Sequence, residues 1–211
     1  MASTIVLHGC LLQNLTHRPF CNISLGARER AADLRQRLTS SEKICLLASS
    51  PGCAVPRLGL PAYNWGVEDL HGAGTACLIG PGGEAHCPTI FPTLAVLASS
   101  FNASLWESVG AVIGTEMRAA NNAGAQRARK PLTPAGDPNP FIGVNAWGPN
   151  RNIARDPRWG RASEVPSECP FLAGKVGAAM VRGIQGDGEY VLTLAALKHV
   201  TAYSLESWRD D

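Results

Sequence analysis

Three groups of side chains in this sequence could do chemistry: Glu68, Asp69 and His71 in one run, Asn150 and Arg155 in a second, and Lys198 with His199 in a third. Carboxylates accept hydrogen bonds, arginine and lysine donate them, and an ionised partner strengthens the bond. Such a set can clamp a polar ligand, or it can close on itself as ion pairs. The run RDPRWGR, from Arg155 to Arg161, carries the same two readings. In the structural one, Asp156 pairs with an arginine and Trp159 packs beneath a loop. Cys77, His86 and Cys87 lack the paired spacing of metal ligands, so no metal is expected. No G-x-G-x-x-G follows a strand pattern, and no cofactor is expected.

The elements that must position these groups alternate. Residues 28–49 carry Ala31, Leu34, Leu38, Ile44, Leu47 and Ala48 on a helical period, with a second start near Ser40 and Ser41. Ala62 to Val67 suits a strand running into the Glu68 loop. Leu94 to Ala98 is continuously apolar, as in a strand buried on both faces of a parallel sheet. Asn102 or Ser104 caps a helix whose stripe is Leu105, Val109, Val112, Ile113 and Met117. Ala123–Pro140 reads as loop, and FIGVNAWGPN from Phe141 as a strand. Residues 170–185 form a helix with Phe171, Leu172, Val176, Ala179 and Met180 or Val181 inward, ended by Gly186. YVLTLAALKHVTAY is the longest buried-strand candidate.

This order predicts an α/β fold with a parallel sheet, and the three polar groups then fall at the carboxyl ends of strands, where such folds place their sites. Pattern alone leaves a doubly wound sheet and a closed barrel equal. About four strands are found where a TIM barrel needs eight and about 250 residues, so the expectation is a partial (β/α)8 barrel, roughly its first half. The chain has 211 residues, 45% hydrophobic and 17% charged, with a net charge of +2. That charge is too small for a nucleic-acid partner, and no apolar run is long enough for a membrane span. Residues 1–19 read as an amino-terminal extension without the basic start of a signal peptide. Three sequons, at Asn14, Asn22 and Asn102, and seven cysteines point to the secretory pathway. Cys77 and Cys87 bracket a Gly/Pro-rich turn that a disulfide could close, and the odd count leaves one thiol over.

From about Phe20 onward the sequence resembles the amino-terminal domain of the family 3 glycoside hydrolases, in their β-xylosidase-like branch. The resemblance rests on FCNISLGARERAADLRQRLTSSEKI, RLGLPAYNWGVEDLHGAG, TIFPTLAVLASSFNASLWESVG, LKHVTAYSLE and, most specifically, GPNRNIARDPRWGRASEVPSECPFLAGKVGAAMVRGIQG. It implies one incomplete domain over 20–211 and hydrolysis of O-glycosyl bonds in β-linked xylosides or glucosides, by a retaining, exo-acting enzyme of xylan catabolism. It also implies that Glu68, Arg155, Lys198 and His199 bind sugar hydroxyls. The chemistry is apt, because a carboxylate can accept from two vicinal hydroxyls while arginine and lysine donate to their oxygens. A glutamate at 68 rather than an aspartate is similar to the xylosidase-like members, the longer side chain crowding the space beyond C5.

Some positions depart from the family pattern. Gly66 stands where a second tryptophan is usual, Asp69 replaces a small residue, Ser167 and Cys169 sit where Gly-Glu-Asp-Pro is usual, and Val200 replaces an aromatic. Glycosidases use two carboxylates, about 5 Å apart in retaining enzymes. Glu68 and Asp69 are neighbours that point to opposite faces of a strand, and Glu164 and Glu168 read as residues serving a helix start. The resemblance implies a nucleophile and an acid/base beyond Asp211, so no catalytic residue is expected within the chain. The alternative is a non-catalytic or vestigial sugar-binding half-barrel.

Overall fold

The structure, a computed structural model, describes residues 10, 14–47, 53–60, 65–74, 77–80, 82–127 and 143–207. It divides into two compact units, Met1–Trp65 with Asn122–Gly143, and Gly66–Asn121 with Val144–Asp211.

Among the described residues of the first unit, polar clasps join the helices to their loops. Helix α1, Ala27–Arg37, turns Asp33 toward the preceding loop, where its carboxylate accepts from Phe20 N at 3.2 Å and pairs with Arg37 at 2.8 Å. Helix α2, Ser40–Leu46, begins on Thr39 with a reciprocal capping box to Glu42, one residue before the expected Ser40 or Ser41. Arg57 donates through Nε to Glu42 at 2.7 Å and through Nη2 to Arg37 O at 2.6 Å. The expected inward stripe is only partial: no residue of α1 or α2 is buried, Leu34 and Leu38 are half-buried, Ile44 and Leu47 are 71% and 84% exposed, and Ala48 lies outside the described residues. Capping and ion pairing start and join these helices, so apolar periodicity misjudges which side faces water. Disulfides join Cys10 to Cys21 and Cys45 to Cys53.

The second unit holds the larger core. Leu94–Ala98, expected as a strand, is a helical turn, α3. Leu94, Leu97 and Ala98 are buried while Val96 is exposed. That is the i, i+3, i+4 spacing of one helical face, which a short apolar run cannot distinguish from a strand. Asn102 Oδ1 accepts from Leu105 N at 3.1 Å and caps α4, Ala103–Arg127. The helix runs five residues into the stretch expected as loop. Val109, Ile113 and Met117 are buried with Trp106, whose Nε1 donates to Leu97 O at 2.7 Å, whereas Leu105 and Val112 stay exposed.

Helix α5, Pro170–Gln185, has the expected bounds, and Gly186 ends it at φ 68°. Val176, Ala179 and Met180 face inward, but Phe171 is exposed and lies under the Lys175 ammonium. Glycines let α4 and α5 approach to backbone contact: a β-carbon on Gly183 would stand 2.1 Å from Glu107 O, and one on Gly114 2.3 Å from Ile184 O.

The parallel pairing is real but short. The two-residue strand Asn145–Ala146 pairs with Leu194–Ala195, and Val67 bridges Ala146 on the other side, all in parallel. Only two residues of YVLTLAALKHVTAY are strand, and Val191, Leu194, Leu197 and Val200 are exposed. Arg118 draws this segment to α4 through Leu192 O at 2.7 Å and Val191 O at 3.0 Å. Part of the expected first strand, at 62–64, lies outside the described residues, as do 141–142 of the third. Cys77 and Cys87 do form a disulfide, beside an antiparallel pair, Leu78–Ile79 with Ala85–His86.

Candidate functional site

Short parallel strands bring Glu68 and Lys198 together at their carboxyl ends. Lys198 Nζ lies 2.7 Å from Glu68 Oε2, across 130 residues of sequence. Backbone pairing fixes this approach, since Lys198 bridges Asn150 in parallel and Lys198 O accepts from Arg151 N at 2.8 Å. The lysine side chain is 15% exposed and that of Glu68 53%, so the carboxylate keeps one side open to solvent.

His199 packs edge-on against Tyr203, ring centroids 4.9 Å apart, and Tyr203 packs in turn on buried Trp159 at 5.6 Å. The Arg161 guanidinium lies 5.6 Å from the Tyr203 ring centroid and pairs with Glu164 at 2.9 and 2.5 Å. The salt bridge raises the Arg161 pKa still further. Asn152 Nδ2 bonds Tyr203 O. Arg155 Nη1 reaches Ile153 O and Ser204 Oγ, both at 3.3 Å, and remains exposed. Within the arginine run, the pairing and packing of the structural reading are present at Asp156 and Trp159. Arg158 pairs with Asp156 at 2.9 and 2.6 Å and holds its carboxyl down at about 2, while Trp159 is buried.

A cavity of 350 Å³ opens beside Glu68, lined by Glu68, His71, Ile90, Arg161 and Glu164 with the 70–74 backbone. His71 Nδ1 sits 3.3 Å from Phe91 O. Glu164 lies in a 3-10 turn, Ala162–Glu164, and answers Arg161 rather than the start of α5. Sequence pattern offered no signal for Tyr203, the residue that joins His199 to the arginine run, because it sat inside an apparent strand. Glu68 and Asp69 do diverge: Asp69 is 1% exposed, and no hydrogen-bond partner serves its carboxylate. Burial pushes Asp69 up to about 7, against the pull of Lys198 and with a smaller push from Glu68. Among the described residues no cluster of His, Cys, Asp and Glu could hold a metal ion, and no helix is long and apolar enough to cross a membrane.

Parallel strand pairing with flanking helices defines an α/β protein, with the Glu68–Lys198 ion pair at the carboxyl ends of its strands. No protein-family model matches the chain. It is 40% identical over 199 residues to Beta-D-xylosidase 3 of Arabidopsis thaliana, an alignment covering 90% of this chain and 23% of that protein. It is likewise 40% identical to Beta-xylosidase/alpha-L-arabinofuranosidase 2 of Medicago sativa subsp. varia, over 92% of this chain and 24% of the relative. Among solved structures, the GH3 exo-beta-xylosidase XlnD in complex with a xylobiose aziridine probe matches 97% of this chain and 24% of its own, with a TM-score of 0.79 and 32% identity. A beta-glucosidase from Kluyveromyces marxianus matches 83% of this chain and 18% of its own, with a TM-score of 0.60 and 28% identity. The chain belongs to the family 3 glycoside hydrolases, in their β-xylosidase-like branch, and spans about a quarter of the length of the curated relatives it matches.

Proposed function

We propose that this chain is the sugar-binding first part of a (β/α)8 barrel in a retaining, exo-acting β-glycosidase of xylosides or glucosides. Residues 20–211 belong to that domain and 1–19 precede it. Glu68 accepts from sugar hydroxyls. Lys198, Arg155 and His199 donate to them or flank them. The ion pair of Glu68 with Lys198, half open at the carboxyl ends of parallel strands, is the observation that carries this reading. Such a pair gains hydrogen bonds from a vicinal diol while keeping its own attraction, and it penalises a ligand that lacks the hydroxyl.

The nucleophile and the acid/base belong to a part of the barrel outside this chain. Glu68 and Asp69 stand on opposite faces, and Glu164 is engaged by Arg161. Three disulfides support an oxidising, secretory compartment. The test is to follow the coding sequence past Asp211 and assay the product on aryl β-xyloside and aryl β-glucoside. Xyloside turnover that Glu68→Gln reduces supports the proposal. A product without the two later carboxylates that still binds xylose favours the non-catalytic alternative, and one that neither binds nor hydrolyses overturns both.

A further inference from the structure

The segments on either side of the site alternate between buried and open positions. Val67, Asp69, Ala146 and Gly148 are buried, while Gly66, Glu68, Asn145 and Trp147 lie on the more open face. Hydrogen bonds lock the two in register: Val67 N donates to Asn145 O at 3.1 Å, and Trp147 N to Val67 O at 2.8 Å. Successive side chains leave a strand on opposite faces, so Trp147 shares a face with Gly66 and Glu68.

The indole of Trp147 lies over Gly66. A β-carbon there would stand 1.6 Å from Cε2, 1.9 Å from Cζ2 and 2.0 Å from Nε1. The ring thus fills the side-chain place of residue 66, one alternate position before the carboxylate that meets Lys198. A partly buried aromatic ring on the same face as a partly open ion pair sets an apolar wall next to a polar edge. A pyranose has the matching shape, with a ring face of C–H bonds and an edge of hydroxyls.

We propose that Trp147 is the aromatic wall of the sugar site, packing on the C–H face of a pyranose whose hydroxyls meet Glu68 and Lys198; this rests on the sugar-binding reading above. Gly66 is required because any larger residue would drive the indole from that place.

The test is titration of the 211-residue protein with xylose, combined with saturation-transfer NMR in which indole protons are irradiated. In the wild type, saturation should pass from an indole to the sugar ring protons, a transfer that Trp147→Phe removes. Trp147→Ala should weaken affinity at least about tenfold, and Trp147→Phe by less. Gly66→Ala should match Trp147→Ala, and the double variant should be no worse than either. If wild type binds and Glu68→Gln does not, while Trp147→Ala binds normally, the wall is refuted and the sugar site stands. If wild type fails to bind, or Glu68→Gln binds like wild type, the sugar site falls and the wall with it. Should Trp147→Ala not fold, absence of indole-to-sugar transfer in the binding wild type overturns the proposal unaided.

Discussion

Asp69 and Gly148 contend for one volume: Oδ1 of the aspartate lies 2.0 Å from the point where a β-carbon on Gly148 would stand. Both residues are buried, so neither can yield toward solvent. Gly148→Ala should therefore cost about 1–3 kcal/mol by overpacking. Asp69→Ala in the same chain should recover most of the loss. Urea midpoints of the two single variants and the double variant would check this, and simple additivity would refute the shared volume.

Asp69 also sets a pH dependence. Its folded pKa is raised by burial to about 7 from 3.8. The folded state then binds its proton more tightly than the unfolded chain, so stability falls as pH rises through that window. A change of that size corresponds to an upper bound of roughly 4 kcal/mol. Asp69→Asn should flatten the decline in Tm between pH 4 and 7. Glu42 works in the opposite sense: Arg57 and the Thr39 cap hold it at about 2, so its contribution is lost as pH falls toward that value. A Tm that rises from pH 4 to 7 in wild type, with the same profile in Asp69→Asn, would contradict the assignment.

The long amphipathic helices were legible because several turns of periodicity fix a face, and Gly186 marks an end that only a left-handed residue makes without cost. The divergence of Glu68 from Asp69 followed from strand alternation alone. Leu94–Ala98 was not legible, because five apolar residues satisfy a helical face and a buried strand equally. Val191–Val200 misled for another reason: Val191, Leu194, Leu197 and Val200 are exposed here, the strand is only two residues long, and Arg118 on α4 holds the start of the segment through a long-range contact that no local pattern encodes. The pairing of Lys198 with Glu68 was likewise inaccessible to local pattern. The place of Trp147 over Gly66 is not written in the sequence, since a glycine records only the absence of a side chain and not what fills its place.

The crossing of α4 and α5 predicts a sharp sensitivity to a single methyl. A β-carbon on Gly183 would meet Glu107 O at 2.1 Å and Ala111 N at 2.6 Å, both backbone atoms of a helix that cannot rotate aside. Gly183→Ala should lose at least about 2 kcal/mol despite the better helix propensity of alanine. Gly174→Ala, in the same helix with nothing within 4 Å of the added carbon, should be neutral or slightly stabilising. Thermal melts of the pair separate packing from propensity. Equal effects would mean that the helices do not pack this closely.

Lys198→Met separates a ligand clamp from a structural ion pair. Methionine keeps most of the lysine's apolar stem against its largely buried surroundings, and it removes only the charged tip. Glu68, left alone, is about half exposed and can take water in place of the ammonium. A pair this open to solvent contributes only about 0–1 kcal/mol to folding, so Tm should move little. Its role toward a sugar is different, because a charge-assisted hydrogen bond contributes about 1.5–3 kcal/mol. Xylose affinity should therefore fall by roughly tenfold to a hundredfold while urea midpoints stay nearly fixed. Arg155→Met should behave the same way, since its guanidinium holds only two long bonds, to Ile153 O and Ser204 Oγ at 3.3 Å. The reverse pattern, a large loss of stability with unchanged affinity, would make Glu68–Lys198 a strut between strands and leave the sugar to be bound elsewhere.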